Sequence, residues 1–170
     1  MCSQLTERRQ GNQAYKQRDF AKALHHYERA QAVVEFVQGL TRVDQAEVDI
    51  NRVVTNLNLA ALSLATQEFG RAVEYCDKAL ELEPQNVKAL ARRCKAHTGG
   101  HEYAEAARDL ERLRLVNPGS SELSELEAAL AQMQQSNRLK ERETYAHMLG
   151  RSKSALNTSQ PSARRSVAGH

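Results

Sequence analysis

The chain has 170 residues, enough for one domain with a tail, and a formal net charge of +3. Hydrophobic residues make up 41%, aromatics only 5%, and tryptophan is absent, a balance suited to helix-on-helix packing built from alanine and leucine. No apolar run reaches the length of a membrane span, the N-terminus carries no signal-peptide pattern, and three cysteines without metal-type spacing point to reduced thiols in a cytosolic or nuclear setting.

The first helix is predicted from near Gln4 or Leu5 to about Lys16, and the second from about Phe20 past Ala30. Val33, Val34, Phe36, Val37 and Leu40 continue the apolar pattern, so the second helix is expected to be lengthened before a turn over 39–44. The third helix starts early, through Val48, Ile50 and Val53, and ends near Ala65; the fourth spans about 69–82. Pro84 follows it, where a residue without an N–H cannot extend the ladder. The fifth helix, 87–98, and the sixth, 103–116, are separated by the breaker Gly99-Gly100, and Pro118 closes the pair. Ser120 or Ser121 can cap a seventh helix, with Glu122 and Glu125 favouring the positive end of its dipole. Leu126, Leu130 and Met133 then form a stripe that would cover the open end of the array, and the helix is expected to stop at Gly150. Residues 151–170 are rich in Ser, Ala and Arg, hold no acid, and read as a disordered basic tail.

One phrase occurs three times: Asp19-Phe20-Ala21-Lys22-Ala23, Glu68-Phe69-Gly70-Arg71-Ala72 and Glu102-Tyr103-Ala104-Glu105-Ala106. An acid, an aromatic, two variable positions and an alanine recur each time. The last two copies are 34 residues apart and the first two 49 apart, one period plus an insert of 15. Seven residues past each motif alanine stand Ala30, Ala79 and Leu113, and three before those Tyr27, Cys76 and Leu110. Gly11, Ala60 and Cys94 take the close-approach position of the first helix in each pair. A 34-residue period of paired helices is the tetratricopeptide signature, and the chain resembles that family. The resemblance implies an all-α fold: three tetratricopeptide helix pairs in a right-handed superhelix plus a long C-terminal seventh helix. The repeat domain is expected over 1–150, with the capping helix from about 121, and the tail over 151–170.

In such stacks the first helix of each pair lines the concave side. The first repeat presents Arg8 and Asn12 there, the second Asn58, and the third Lys88 and Arg92. Three cations and two amides with no carboxylate make a socket for carboxylates: arginine offers a planar fork, lysine a mobile charge, and asparagine both donors and an acceptor. These positions resemble the two-carboxylate clamp of tetratricopeptide co-chaperones, which in that family reads Lys, Asn, Asn, Lys, Arg. Arg8 stands where the family has lysine. The resemblance implies a binding module for the C-terminal Glu-Glu-Val-Asp peptide of heat shock protein 90 or 70.

Asn58-Leu59-Ala60, Lys78-Ala79-Leu80-Glu81-Leu82, Lys88-Ala89-Leu90-Ala91-Arg92-Arg93 and Lys140-Glu141-Arg142-Glu143-Thr144-Tyr145-Ala146-His147-Met148-Leu149 are similar to the repeat region of FK506-binding immunophilins, over about residues 5–149. The match opens directly in the first repeat. A stand-alone relative and the targeting part of a larger prolyl isomerase therefore both stay open, and isomerase activity is not carried over with the resemblance.

Other features read as structural. Arg93 and Lys95 are expected to be ordinary surface groups beside the clamp. His97 and His101 have the spacing of a metal pair, but Gly99-Gly100 breaks the helix between them, so His97 is read as a packed core histidine; His25 and His26 are read as surface. Cys76 and Cys94 fall on inward positions as small hydrophobes. Without a Gly-rich phosphate loop, a nucleophile motif or an inner cluster of carboxylates, neither an enzyme nor a cofactor is expected. Nucleic-acid binding would need a basic stripe with stacking aromatics. Residues 138–149 are basic and amphipathic, a form calmodulin binds, though Glu141 and Glu143 dilute it. A scaffold binding an unrelated protein is the alternative reading of the groove.

Overall fold

Among the described residues, three non-glycine residues take the left-handed backbone region, and they fall at the same point of each repeat: Arg18 (φ 60°), Gln67 (φ 62°) and His101 (φ 64°). Each stands directly before a motif acid, so the chain leaves one helix, turns a corner and enters the next at Phe20, Phe69 or Tyr103. The computed structural model describes residues 2–35 and 42–157. Its helices are α1 (Cys2–Lys16), α2 (Phe20–Glu35), α3 (Arg42–Ala65), α4 (Phe69–Leu82), α5 (Val87–Gly99), α6 (Tyr103–Val116) and α7 (Ser121–Asn157). No strand occurs among the described residues.

The repeated small residues form the seams. Ala23, Ala72 and Ala106, the three motif alanines, are fully buried, as are Ala30, Ala79 and Leu113. At Gly11 a Cβ would lie 2.6 Å from the Tyr27 ring, so the crossing of α1 over α2 requires glycine. Phe69 packs its ring against Gly99, which is how the motif aromatic plugs the end of the neighbouring helix. Helices α1, α3 and α5 lie in series, with α3 touching both of the others. The main core runs through Val53, Leu57, Leu80, Leu90, Leu110 and Leu113.

Leu123, Leu126 and Leu130 of α7 join that core, covering the last repeat as the stripe predicted, with Met133 half-buried. The Lys95 to Glu122 ion pair (2.8 Å) fixes the start of α7, and the Tyr103 hydroxyl donates to the Met133 carbonyl at 3.4 Å. The first compact unit ends at Met133; a second unit begins at Gln134, where Leu139, Tyr145, Met148 and Leu149 are exposed.

The boundaries differ from expectation in two places. Helix α7 runs through Gly150 to Asn157. A lone glycine costs a helix only about 1 kcal/mol relative to alanine, and no proline follows until Pro161. The rest of the expected basic tail, 158–170, lies outside the described residues, as does the predicted extension of α2 through Phe36, Val37 and Leu40. Helix α3 already begins at Arg42, inside the segment predicted as a turn. Among the described residues no helix is long and apolar enough to cross a membrane.

Candidate functional site

Helical spacing places Arg8 and Asn12 one turn apart on α1, and Lys88 and Arg92 one turn apart on α5. Helix α3 touches both. Asn12 Oδ1 accepts two hydrogen bonds, from the Tyr27 hydroxyl at 2.8 Å and from Asn58 Nδ2 at 3.2 Å. Arg92 donates to the carbonyl of Leu57, the residue before Asn58, at 2.7 Å. Asn12 and Asn58 are thus bonded side chain to side chain, and Arg92 is bonded to the backbone one residue before Asn58, so that α1, α3 and α5 are linked. Arg8 joins α3 farther toward its start, donating to Asn51 Oδ1 at 3.0 Å. Lys88 is exposed and, among the described residues, has no hydrogen-bond or ion-pair partner.

Among the described residues, Arg8, Lys88 and Arg92 pair with no carboxylate. Arg29 pairs with Glu7 (3.0 Å), Lys95 with Glu122 (2.8 Å), Arg71 with Glu68 (2.9 Å) and Arg108 with Glu105 (2.6 Å). A cation left facing only amides and a carbonyl keeps its full charge for an incoming anion. The pocket lined by Gln31, Arg52, Thr55, Asn56, Lys78, Glu81 and Leu82, of about 220 Å³, includes none of the five side chains. Asn12 and Lys88 are exposed, and Arg8, Asn58 and Arg92 are half-buried.

Arg93 is not the surface group expected. Its guanidinium is mostly buried and grips both oxygens of Asp109, at 2.5 and 2.9 Å, while a third N–H reaches Asp77 at 2.5 Å. The Asp109 hydrogen bonds, partly offset by burial, hold the Arg93 pKa above its ordinary value. Lys95 is half-exposed and tied to α7, as already described. His97, at 11% side-chain exposure, donates from Nδ1 to Glu102 (2.5 Å), and His101 Nδ1 meets the Tyr103 hydroxyl (2.8 Å). The two rings therefore serve different partners. His26 is also misjudged as surface: its Nδ1 lies 2.8 Å from Glu7 Oε2, bridging α1 and α2, while His25 is exposed. Burial pushes the Cys76 thiol up to about 12 and the Cys94 thiol up to about 11, so both remain protonated packing groups. Among the described residues no three His, Cys, Asp or Glu side chains are grouped to hold a metal.

Sequence reasoning missed two polar partners of the five predicted site residues. Tyr27 takes a core position of the repeat, yet its hydroxyl reaches Asn12; Asn51, two turns before Asn58 on α3, holds Arg8. The available signal was Tyr27 itself, a buried residue with a polar tip that needs a partner.

The tetratricopeptide repeat family model matches residues 63–130. Mouse peptidyl-prolyl cis-trans isomerase FKBP4 is 30% identical over 142 residues, covering 83% of this chain and 31% of that protein. The chain thus spans about a third of the length of the curated relatives it matches first. Among solved structures, the second TPR domain of human RPAP3, in complex with the HSP70 peptide SGPTIEEVD, superposes with a TM-score of 0.62 at 24% identity, over 78% of this chain and 96% of that one. The first TPR of Spaghetti (RPAP3), bound to the HSP90 peptide SRMEEVD, gives 0.63 at 21% identity, over 80% and 94%. At these identities the two structures speak for the fold. Three equivalent corners, three fully buried motif alanines and a matching family model agree on one conclusion: this chain is built of tetratricopeptide repeats.

Proposed function

We propose that this chain is a co-chaperone docking module that holds the acidic C-terminus of a heat shock protein 90 or 70 class chaperone. Arg8, Asn12, Asn58, Lys88 and Arg92 form its two-carboxylate clamp. The observation that carries the reading is the Asn12–Asn58 bond with Arg92 bonded to the backbone beside it, in a set whose three cations, Arg8, Lys88 and Arg92, pair with no carboxylate among the described residues. Both RPAP3 structures hold peptides ending in Glu-Glu-Val-Asp, which offers a side-chain and a terminal carboxylate close together. Lys88 and Arg92 grip the carboxylates, Asn12 and Asn58 fix the main chain, and Arg8 completes the clamp. The module works by binding, without chemistry of its own.

Titration with a Glu-Glu-Val-Asp peptide tests this. Removing Lys88 or Arg92 is expected to cost about 2–5 kcal/mol of binding, and affinity is expected to fall as salt rises. Amidating the peptide's C-terminus should abolish tight binding. Equal binding by the wild type and a Lys88→Ala, Arg92→Ala double variant, or indifference to amidation, rejects the clamp and leaves a scaffold for an unrelated partner.

A further inference from the structure

Resting on the clamp just proposed, we infer that Tyr27 is a positioning residue: its hydroxyl turns the Asn12 carboxamide so that only the N–H end faces the peptide. That end of the clamp then accepts carboxylate and carbonyl oxygens and refuses donors.

A half-turn of an asparagine amide exchanges an acceptor for a donor with almost no change of shape, so something else has to fix it. Asn12 Oδ1 uses both lone pairs inside the protein, one on the Tyr27 hydroxyl and one on Asn58 Nδ2. Asn58 alone cannot set the orientation, because two bonded amides can flip together and keep their bond. The phenol breaks that symmetry. Tyr27 is 2% exposed, and among the described residues its hydroxyl hydrogen has no acceptor but Asn12 Oδ1. With the amide reversed, Nδ2 would face the phenol oxygen, and the phenol's own hydrogen would be buried without a partner. Burial pushes the Tyr27 pKa up to about 12, so the hydroxyl keeps its proton under ordinary conditions. The ring is packed closely against Gly11 of α1, in the space a Cβ there would need. Orientation passes from Gly11 to the Tyr27 ring, from its hydroxyl to Asn12, and from Asn12 to the ligand.

The test uses the full chain and a free-acid Glu-Glu-Val-Asp peptide. Tyr27→Phe keeps the ring and its packing but lets both amide orientations coexist. The competent fraction then falls to half or less, and the apparent Kd rises about two- to fivefold. In an Asn12→Ala background the same change should do nothing further, whereas a merely structural role would weaken binding equally in both backgrounds. In the wild type, the Asn12 side-chain amide protons should move downfield in NMR spectra as peptide is added, a reading that needs no variant to fold. Wild-type affinity in Tyr27→Phe, an equal loss in the Asn12→Ala background, or unmoved Asn12 amide protons in the peptide-saturated wild type would each overturn the assignment. If the wild type binds no peptide, the clamp itself falls. The orientation is then read in the free protein, where a sharp Asn12 amide pair that broadens in Tyr27→Phe supports it and identical spectra reject it.

Discussion

Arg92 and Arg93 are adjacent on α5, and replacing each with alanine should damage the protein in opposite ways. Arg93 holds Asp109, whose side chain is 3% exposed, and Asp77, which is 47% exposed. Without the guanidinium, Asp77 returns to water at little cost. Asp109 stays buried, with only His97 Nε2 at 3.9 Å. Breaking one side of a buried pair in this way costs about 3–5 kcal/mol. Arg92 gives up one hydrogen bond to the Leu57 carbonyl, worth about 1 kcal/mol. For a chain of this size each kcal/mol moves the melting temperature by about 2–4 °C. Arg93→Ala should therefore melt roughly 6–20 °C lower, and Arg92→Ala only a few degrees lower. Far-ultraviolet circular dichroism on heating measures both, and peptide titration below the transitions completes the comparison. Arg93→Ala should bind as the wild type does, while Arg92→Ala should lose most of its affinity. Equal melting losses in the two variants, or lost binding in Arg93→Ala with Arg92→Ala unaffected, would refute the division of labour drawn from their partners.

Two further outcomes follow from packing and charge. Gly11→Ala drives a methyl group into the Tyr27 ring and should cost about 1–3 kcal/mol in thermal stability; because the ring carries the Asn12 contact, peptide affinity should drop as well. The Glu7 carboxyl is held below its ordinary value of 4.5, first by the hydrogen bond with His26 and further by Arg29. A lowered folded-state pKa gives stability that is complete above that ordinary value and fades as pH falls through the folded-state value. Glu7→Gln should flatten that acid limb in a plot of melting temperature against pH, and an unchanged limb would show that the carboxyl contributes nothing there.

The repeat frame was legible because it is local. Aromatic, alanine and acid recur at fixed offsets, and each offset fixes one contact within a helix pair, so the starts of α2, α4 and α6 came out at Phe20, Phe69 and Tyr103. The five side chains of the proposed clamp could be chosen for the same reason, since a position in the repeat fixes a face. The partners of buried polar groups were harder to find. Arg93 looks like any basic residue beside Arg92 until Asp109, from the next helix, is placed against it. The clue lay in the repeat itself: the third residue past each motif alanine is His26, Tyr75 or Asp109, a polar residue one place from a fully or nearly buried one. His26 and Asp109 each bridge to the first helix of their own pair, a pattern that composition and helical periodicity do not report. The end of α7 was missed for another reason: one glycine was given the weight of a stop signal, though flanking helix formers outvote it.

The corners at Arg18, Gln67 and His101 set a limit on how the array can vary in length. Each successive residue of a helix is rotated by roughly 100° from the one before. Deleting a single residue at such a corner would swing the next helix by that angle and turn its motif alanine out of the seam toward solvent. A matching one-residue insertion would do the same in the opposite sense. Lengthening is therefore tolerable only where no seam depends on the count, as at the start of α3, whose 24 residues against the 13 of α5 take up most of the additional 15.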